Sequence, residues 1–290
     1  MNAEETKIRW THFERPDGTL MPGYTFNPHW GCVHVSPGCK GCYAETWAKR
    51  TGWDVWGMNA PRRFFGEAHW GKPLEWNKRA EKAGEMHAVF CASMGDWAED
   101  RRDLDSIRER LFDLVERTKN LLWLMLTHRP HDANRLLPSR WMEGAWPVNA
   151  WLGVTAEGPP YVDRVREALK APAPVHFISF EPALEAVDFS SVLGPQSDRL
   201  LPVGERRASW LIAGCESGQH PRPMPLSVAE NVMQQCRNTG AKFFMKQINA
   251  ELLGLGRKNQ VVEEMARFPE HLRVREFPRM PVQKAQPTLF

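Results

Sequence analysis

NLLWLMLTHRP, residues 120–130, is an almost unbroken apolar run that ends abruptly in Thr127, His128, Arg129 and Pro130. A strand covered on both faces reads this way, because neither side may alternate with polar residues. The same unit recurs along the chain. AVFCASMGD (88–96), AWLGVTAE (150–157), VHFISFEP (175–182), SWLIAGCESG (209–218) and AKFFMKQ (241–247) each pair an apolar run with polar residues at its end. A further strand is expected around Tyr24–Asn27.

Helical stretches lie between these runs. Leu104, Ile107, Leu111, Leu114 and Val115 keep a 3.6-residue period in 103–118, as do Val162, Val165, Ala168 and Leu169 in 161–170. Segment 227–240 opens with Ser227 and Glu230 in capping-box spacing and closes at Gly240. Alternation of strand and helix implies parallel crossovers, and about seven strands suit an α/β fold of the parallel (β/α) barrel type, partial or irregular. A doubly wound open sheet is the alternative, since strand order is not written in a sequence. Residues 1–250 are expected to form the barrel, with an irregular Trp-rich insertion at 51–87. Residues 251–290 are expected to be an extension and exposed tail.

Of 290 residues, 38 are Lys or Arg and 35 are Asp or Glu, so the net charge of +3 does not diagnose nucleic-acid binding. The 13 tryptophans offer a stacking surface for bases, although burial is the commoner use of the side chain. No stretch has the uninterrupted apolar length of a membrane span, and MNAEETKIRW carries no secretory h-region. A cytoplasmic protein without a membrane partner is expected, where clustered cysteines bind metals rather than pair.

Half of the six cysteines fall in one loop, NPHWGCVHVSPGCKGCYAE (27–45), as Cys32, Cys39 and Cys42. Three thiolates without a fourth can hold a metal and leave a coordination position open for chemistry. Structural zinc is the competing reading, with His29 or His34 as a fourth ligand, although the six-residue first gap lies outside the usual zinc spacing. Cys91, Cys215 and Cys236 read as packing residues, Cys215 being the one beside the predicted mouth.

In a parallel barrel the strand C-termini converge on one mouth. The chain places Ser93, Gly95, Asp96, Thr127, His128, Arg129, Thr155, Glu157, Ser179, Glu181, Glu216, Ser217, Lys246 and Gln247 at such ends. Recurrence over six ends argues against helix capping as the whole explanation.

With these landmarks the chain resembles the phage-associated three-cysteine proteins, a family of phages and prophages related to radical S-adenosylmethionine enzymes. The landmarks run from KIRWT at 7–11 to MKQ at 245–247, with SPGCKGCYAE the most specific. The resemblance implies a 4Fe–4S cluster on Cys32, Cys39 and Cys42, and S-adenosylmethionine on the open iron. It further implies a 5′-deoxyadenosyl radical that abstracts hydrogen, and an electron donor such as flavodoxin or ferredoxin. Tyr43, Ser93, Gly95, Asp96, Thr127, Arg129, Thr155, Glu157 and Ser179 become candidates for binding the cofactor, with SMGD (93–96) meeting the methionine amine. Glu181, Glu216, Cys215 and Lys246 become candidates for facing the substrate. A nucleic-acid base or nucleotide is the expected substrate, with a peptide or small metabolite as the alternative. A zinc-stabilised DNA-associated protein without catalysis is the reading from another class. Two departures from the family pattern stand out: the cysteine motif, whose first gap is six residues rather than three and in which Gly41 occupies the place of an aromatic before the last cysteine, and the sixth strand, which ends GCES (214–217) with Cys215 where a second glycine is expected. The terminal QPTLF also resembles the peptide by which DNA enzymes bind the sliding clamp, with Gln286, Leu289 and Phe290 as anchors.

Overall fold

The computed structural model describes residues 4–218, 221–255 and 260–281. Seven parallel strands follow one another across a single sheet in chain order: β1 (Gly23–Thr25), β2 (His87–Cys91), β3 (Leu121–Thr127), β4 (Ala150–Thr155), β5 (His176–Phe180), β6 (Ala208–Gly214) and β7 (Lys242–Asn249). A short β8 (Val261–Val262) adds antiparallel to β7. This monotonic order rules out the doubly wound sheet, in which strand order reverses at a switch point.

One side chain shows that the sheet curls. Trp10, on a 3-10 turn at Arg9–Thr11, packs 4.7 Å from Phe90 on β2, 6.0 Å from Phe177 on β5 and 6.1 Å from Trp210 on β6, measured between ring centroids. In a flat sheet β2 and β6 would stand four strand spacings apart, about 19 Å. The inner face therefore wraps around Trp10 and Phe13, while β1 is not joined to β7 or β8. The result is a partial barrel. Alternation along the strands sorts the two faces: Leu122 and Leu124 of β3 point inward, whereas Leu121, Trp123 and Met125 pack under the helices.

Outside the sheet lie α1 (Tyr43–Arg50), α2 (Glu67–Ala83), α3 (Asp105–Arg117), α4 (Pro130–Leu136), α5 (Val162–Ala168) and α6 (Leu226–Thr239). The expectation of irregular structure over 51–87 is corrected in its second half, where α2 runs for 17 residues through Pro73. Trp70, Pro73, Trp76 and Ala80 are buried along one side of it, so packing outweighs the backbone hydrogen bond that proline removes. Helix α6 starts at Leu226, which puts Ser227 inside the first turn rather than at the cap, while Gly240 closes it at φ 77° as its spacing implied. Beyond 250 the chain does not simply leave the domain. Phe268 and Leu272 are buried, and the Glu276 carbonyl accepts from Trp210 Nε1 at 3.0 Å. Most tryptophans are core: Trp10, Trp70, Trp76, Trp97, Trp123, Trp141, Trp151 and Trp210 are buried. No helix among the described residues is long and apolar enough to cross a membrane. Gln286, Leu289 and Phe290 lie outside the described residues.

Burial also builds in an acid sensitivity. It pushes the imidazoles of His176 on β5 and of His29 down to about 4. A group with a depressed folded pKa is protonated first in the unfolded chain, so its stabilisation is complete above about 6.5 and fades as pH falls toward 4. Each is expected to remove about 2 kcal/mol by pH 5. Urea midpoints taken between pH 7 and pH 5 should fall, and fall less in His176→Gln. A flat profile would mean that neither histidine is held neutral.

Candidate functional site

The polar strand ends do meet. A cavity of about 350 Å³ opens at the C-terminal mouth of the sheet, and Cys32, Cys39 and Cys42 all line it. Ser93, Gly95 and Asp96 after β2, Arg129 after β3, Thr155 and Ser179 at the ends of β4 and β5, and Glu181, Glu216 and Lys246 line it as well, with Tyr43 from α1. Phe90, Leu126 and Trp10 supply apolar walls. Thr127, Glu157 and Cys215 do not line it. Thr127 donates its hydroxyl to Asp96 at 2.7 Å, Glu157 is buried behind the cysteine loop, and Cys215 is wholly buried in the outer core.

The cysteine loop is held by three arginines, each carried by a carboxylate from a different strand end. Arg129 pairs with Asp96 at 2.7 Å and donates to the Val33 carbonyl at 2.7 Å. Arg164, at the start of α5, pairs with Glu157 at 3.0 Å and donates to Val35 at 3.4 Å. Arg222 grips Glu216 at 2.5 and 2.9 Å and donates to Pro37 at 3.0 Å. Three alternate carbonyls of the loop are thus each met by a guanidinium whose charge is already balanced. Arg164 and Arg222 were not singled out in the sequence. The signal available was an acid at a strand end followed six or seven residues later by arginine.

Two glycines on either side of Cys39 make this approach possible. A Cβ on Gly38 would stand 2.5 Å from Glu157 Oε1, and one on Gly41 would overlap the Glu216 carboxylate. Gly41 holds the place where an aromatic was expected, and any side chain there would push Glu216 away from Arg222. Gly41→Ala is expected to lower the urea midpoint by the equivalent of about 1–3 kcal/mol, the usual cost of overpacking. Gly71→Ala, with nothing near its Cβ, should not lower it. A wild-type midpoint in Gly41→Ala would show that the loop tolerates a displaced Glu216.

Asp96 has no acceptor to spare. Its Oδ1 takes the Thr127 hydroxyl at 2.7 Å and the Ala98 N–H at 3.1 Å. Its Oδ2 takes the His128 N–H at 3.1 Å and Arg129 Nη1 at 2.7 Å. Burial raises its pKa, but Arg129, His128 and the Thr127 hydroxyl outweigh that and hold it below the ordinary aspartate value. Glu181 is similarly engaged, with Lys246 at 2.5 and 2.7 Å and Gln247 at 3.2 Å. The 93–96 segment is tied to the cysteine loop: Gly31 N–H donates to the Met94 carbonyl at 2.9 Å, and the Tyr43 hydroxyl donates to that of Ser93 at 3.0 Å.

The three thiols are partly buried. Burial pushes Cys32 up to about 12 against the pull of Arg129, whose Nη1 lies 3.5 Å from the sulfur. Burial also raises Cys42, although the N–H groups of Ala44 and Glu45 in the first turn of α1 favour its thiolate. An incoming cation would displace the thiol protons. No group of three His, Cys, Asp or Glu among the described residues is drawn together tightly enough for a single ion. His34, a candidate fourth zinc ligand, is engaged with Glu45 at 2.7 Å, and His29 is buried away from the cavity lining. Three soft donors spaced around one cavity, with room left beside them, fit a group larger than an ion.

No curated protein matches the sequence. Among solved structures, a mutant of spore photoproduct lyase superposes with a TM-score of 0.45 at 11% identity, covering 76% of this chain and 75% of that one. A profile for a family described as "Protein of unknown function (DUF5131)" matches residues 5–266, a span that includes the cysteine loop and all eight strands, and the chain belongs to that family.

Proposed function

We propose that the protein is a radical S-adenosylmethionine enzyme that carries a 4Fe–4S cluster on Cys32, Cys39 and Cys42 and modifies or repairs a nucleic-acid base or nucleotide. The observation that carries this reading is that three thiols of one loop face a single cavity at the mouth of a parallel partial barrel. Cluster and cofactor, when bound, would supply the chemistry of hydrogen abstraction from carbon.

The chain's own residues do the rest. Arg129, 3.5 Å from Cys32 Sγ, favours the thiolate, and its bond to Val33 keeps that charge in place. Backbone groups of Ser93 and Gly95, which line the cavity, would be left to hold a ligand's amine, since the Asp96 carboxylate is already saturated. Phe90, Leu126 and Trp10, as apolar walls of the cavity, would limit the water around a bound substrate. Lys246, whose Nζ donates to both carboxylate oxygens of Glu181, can exchange that partner for a phosphate or carboxylate of an entering molecule. The nucleic-acid substrate rests on the resemblance to phage-associated proteins and on the clamp-like tail. Flavodoxin or ferredoxin is the class of electron donor such a site needs.

Anaerobic reconstitution with iron and sulfide, followed by electron paramagnetic resonance of the reduced protein, tests the assignment. A reduced-cluster signal that changes on adding S-adenosylmethionine is expected. Zinc retained at one equivalent with no iron would replace this reading with that of a zinc-stabilised protein.

A further inference from the structure

Every exposed large aromatic side chain among the described residues lies in one segment: Tyr43, Trp47, Trp53 and Phe64. Helix α1 turns Ala44 and Ala48 into a small core with Val55 and Met94. Its opposite face presents Tyr43, Trp47 and Arg50, spaced i, i+4 and i+7, in a stripe that begins at the cavity wall. Beside it, Trp53 stacks on the Arg63 guanidinium at 4.0 Å, and Trp30 covers the same guanidinium at 4.3 Å. The platform is braced from below. Arg62 is buried against Glu99 at 2.6 and 2.9 Å and donates to the Val55 carbonyl at 2.9 Å, while Gly57 N–H reaches the Cys32 carbonyl at 2.9 Å.

Charge on this lip is one-sided. Lys40, Lys49, Arg50 and Arg63 stand against Glu45 and Asp54, and Glu45 is already engaged by Lys49 and His34. Flat rings interleaved with cations are the equipment of a single-strand binder, since bases stack on the rings and phosphates meet the charges. A membrane would need the same residues, but it would cover a polar cavity entrance that starts at Tyr43.

We propose that this lip binds single-stranded DNA, with bases stacked on Trp47 and Trp53 and phosphates at Lys40 and Arg50, and feeds an unpaired base past Tyr43 into the cavity. The proposal rests on the nucleic-acid reading of the site and specifies the form of the substrate. Duplex would not serve, because its base faces are already stacked.

The test does not depend on the cluster. Fluorescence anisotropy of the full-length chain, as purified and after reconstitution, is measured with a labelled oligo-dT of about 15 nucleotides, within the usual site size of such surfaces. Binding that weakens with salt is expected, along with at least tenfold weaker binding to a duplex of equal length. Trp47→Ala and Trp53→Ala should each weaken binding about five- to a hundredfold, as loss of one stacked base does. Their cluster signal should stay at wild-type level, since neither residue lines the cavity. Equal affinity for duplex, no effect of either substitution, tighter binding of oligo-rU, or binding only to anionic vesicles would each overturn the proposal. A cluster signal without oligonucleotide binding would leave the enzyme class standing and remove the strand-binding lip.

Discussion

Cys39→Ala protein is expected to emerge from anaerobic reconstitution without a cluster, its iron and sulfide near background and its reduced-state resonance signal absent. Cys39 lies inside the 3-10 turn Pro37–Gly41, between the two glycines pressed against Glu157 and Glu216. No other thiol can take its place, because Cys91, Cys215 and Cys236 are buried away from the cavity. Two thiolates on a loop that cannot shift would leave two irons of a cubane without protein ligands. The loop's own bonds to Arg129, Arg164 and Arg222 do not involve the Cys39 sulfur, so thermal stability of the metal-free variant should match wild type. Wild-type iron and sulfide in the variant would refute the ligand assignment.

Asp96→Asn is expected to be the most destabilising conservative change at the site, by about 3–5 kcal/mol, the usual cost of leaving one partner of a buried ion pair without the other. Asp96 and Arg129 are nearly fully buried. Both carboxylate oxygens accept two hydrogen bonds, and an amide turns donors toward two of those four groups. Arg129 would then hold Val33 and face Cys32 with its charge uncompensated. The urea midpoint of the metal-free protein measures this directly. A wild-type midpoint together with weaker binding of S-adenosylmethionine would make Asp96 a ligand contact rather than a brace.

These two residues illustrate how the site was legible and where it was not. Cys39 announces itself by type and spacing, because few arrangements other than a metal site place three thiols in eleven residues. Asp96 was legible as a strand-end acid, but its occupation by four donors was not, since three of them come from the end of a different strand and the residues just after it. Glu157 and Glu216 were likewise found by position and given another task. They were expected to meet a cofactor or substrate; the structure sets both against the glycines of the cysteine loop, with Glu216 also in the cavity wall. Helix α2 was missed because Pro73 and scattered tryptophans broke the pattern, and only the burial of Trp70 and Trp76 explains why a helix persists there. Strand β8 has two residues, too few to show any period.

By itself the sequence determined seven parallel strands, their polar ends and the three-thiol loop, because strand burial and clustered thiols leave local signatures in residue type and spacing. Only the tertiary structure decided that the sheet curls around Trp10 without closing. It also decided that three arginine–carboxylate pairs brace the loop, and that the exposed aromatics gather on one lip. Each of these depends on groups far apart in the chain meeting in space, which no local pattern encodes.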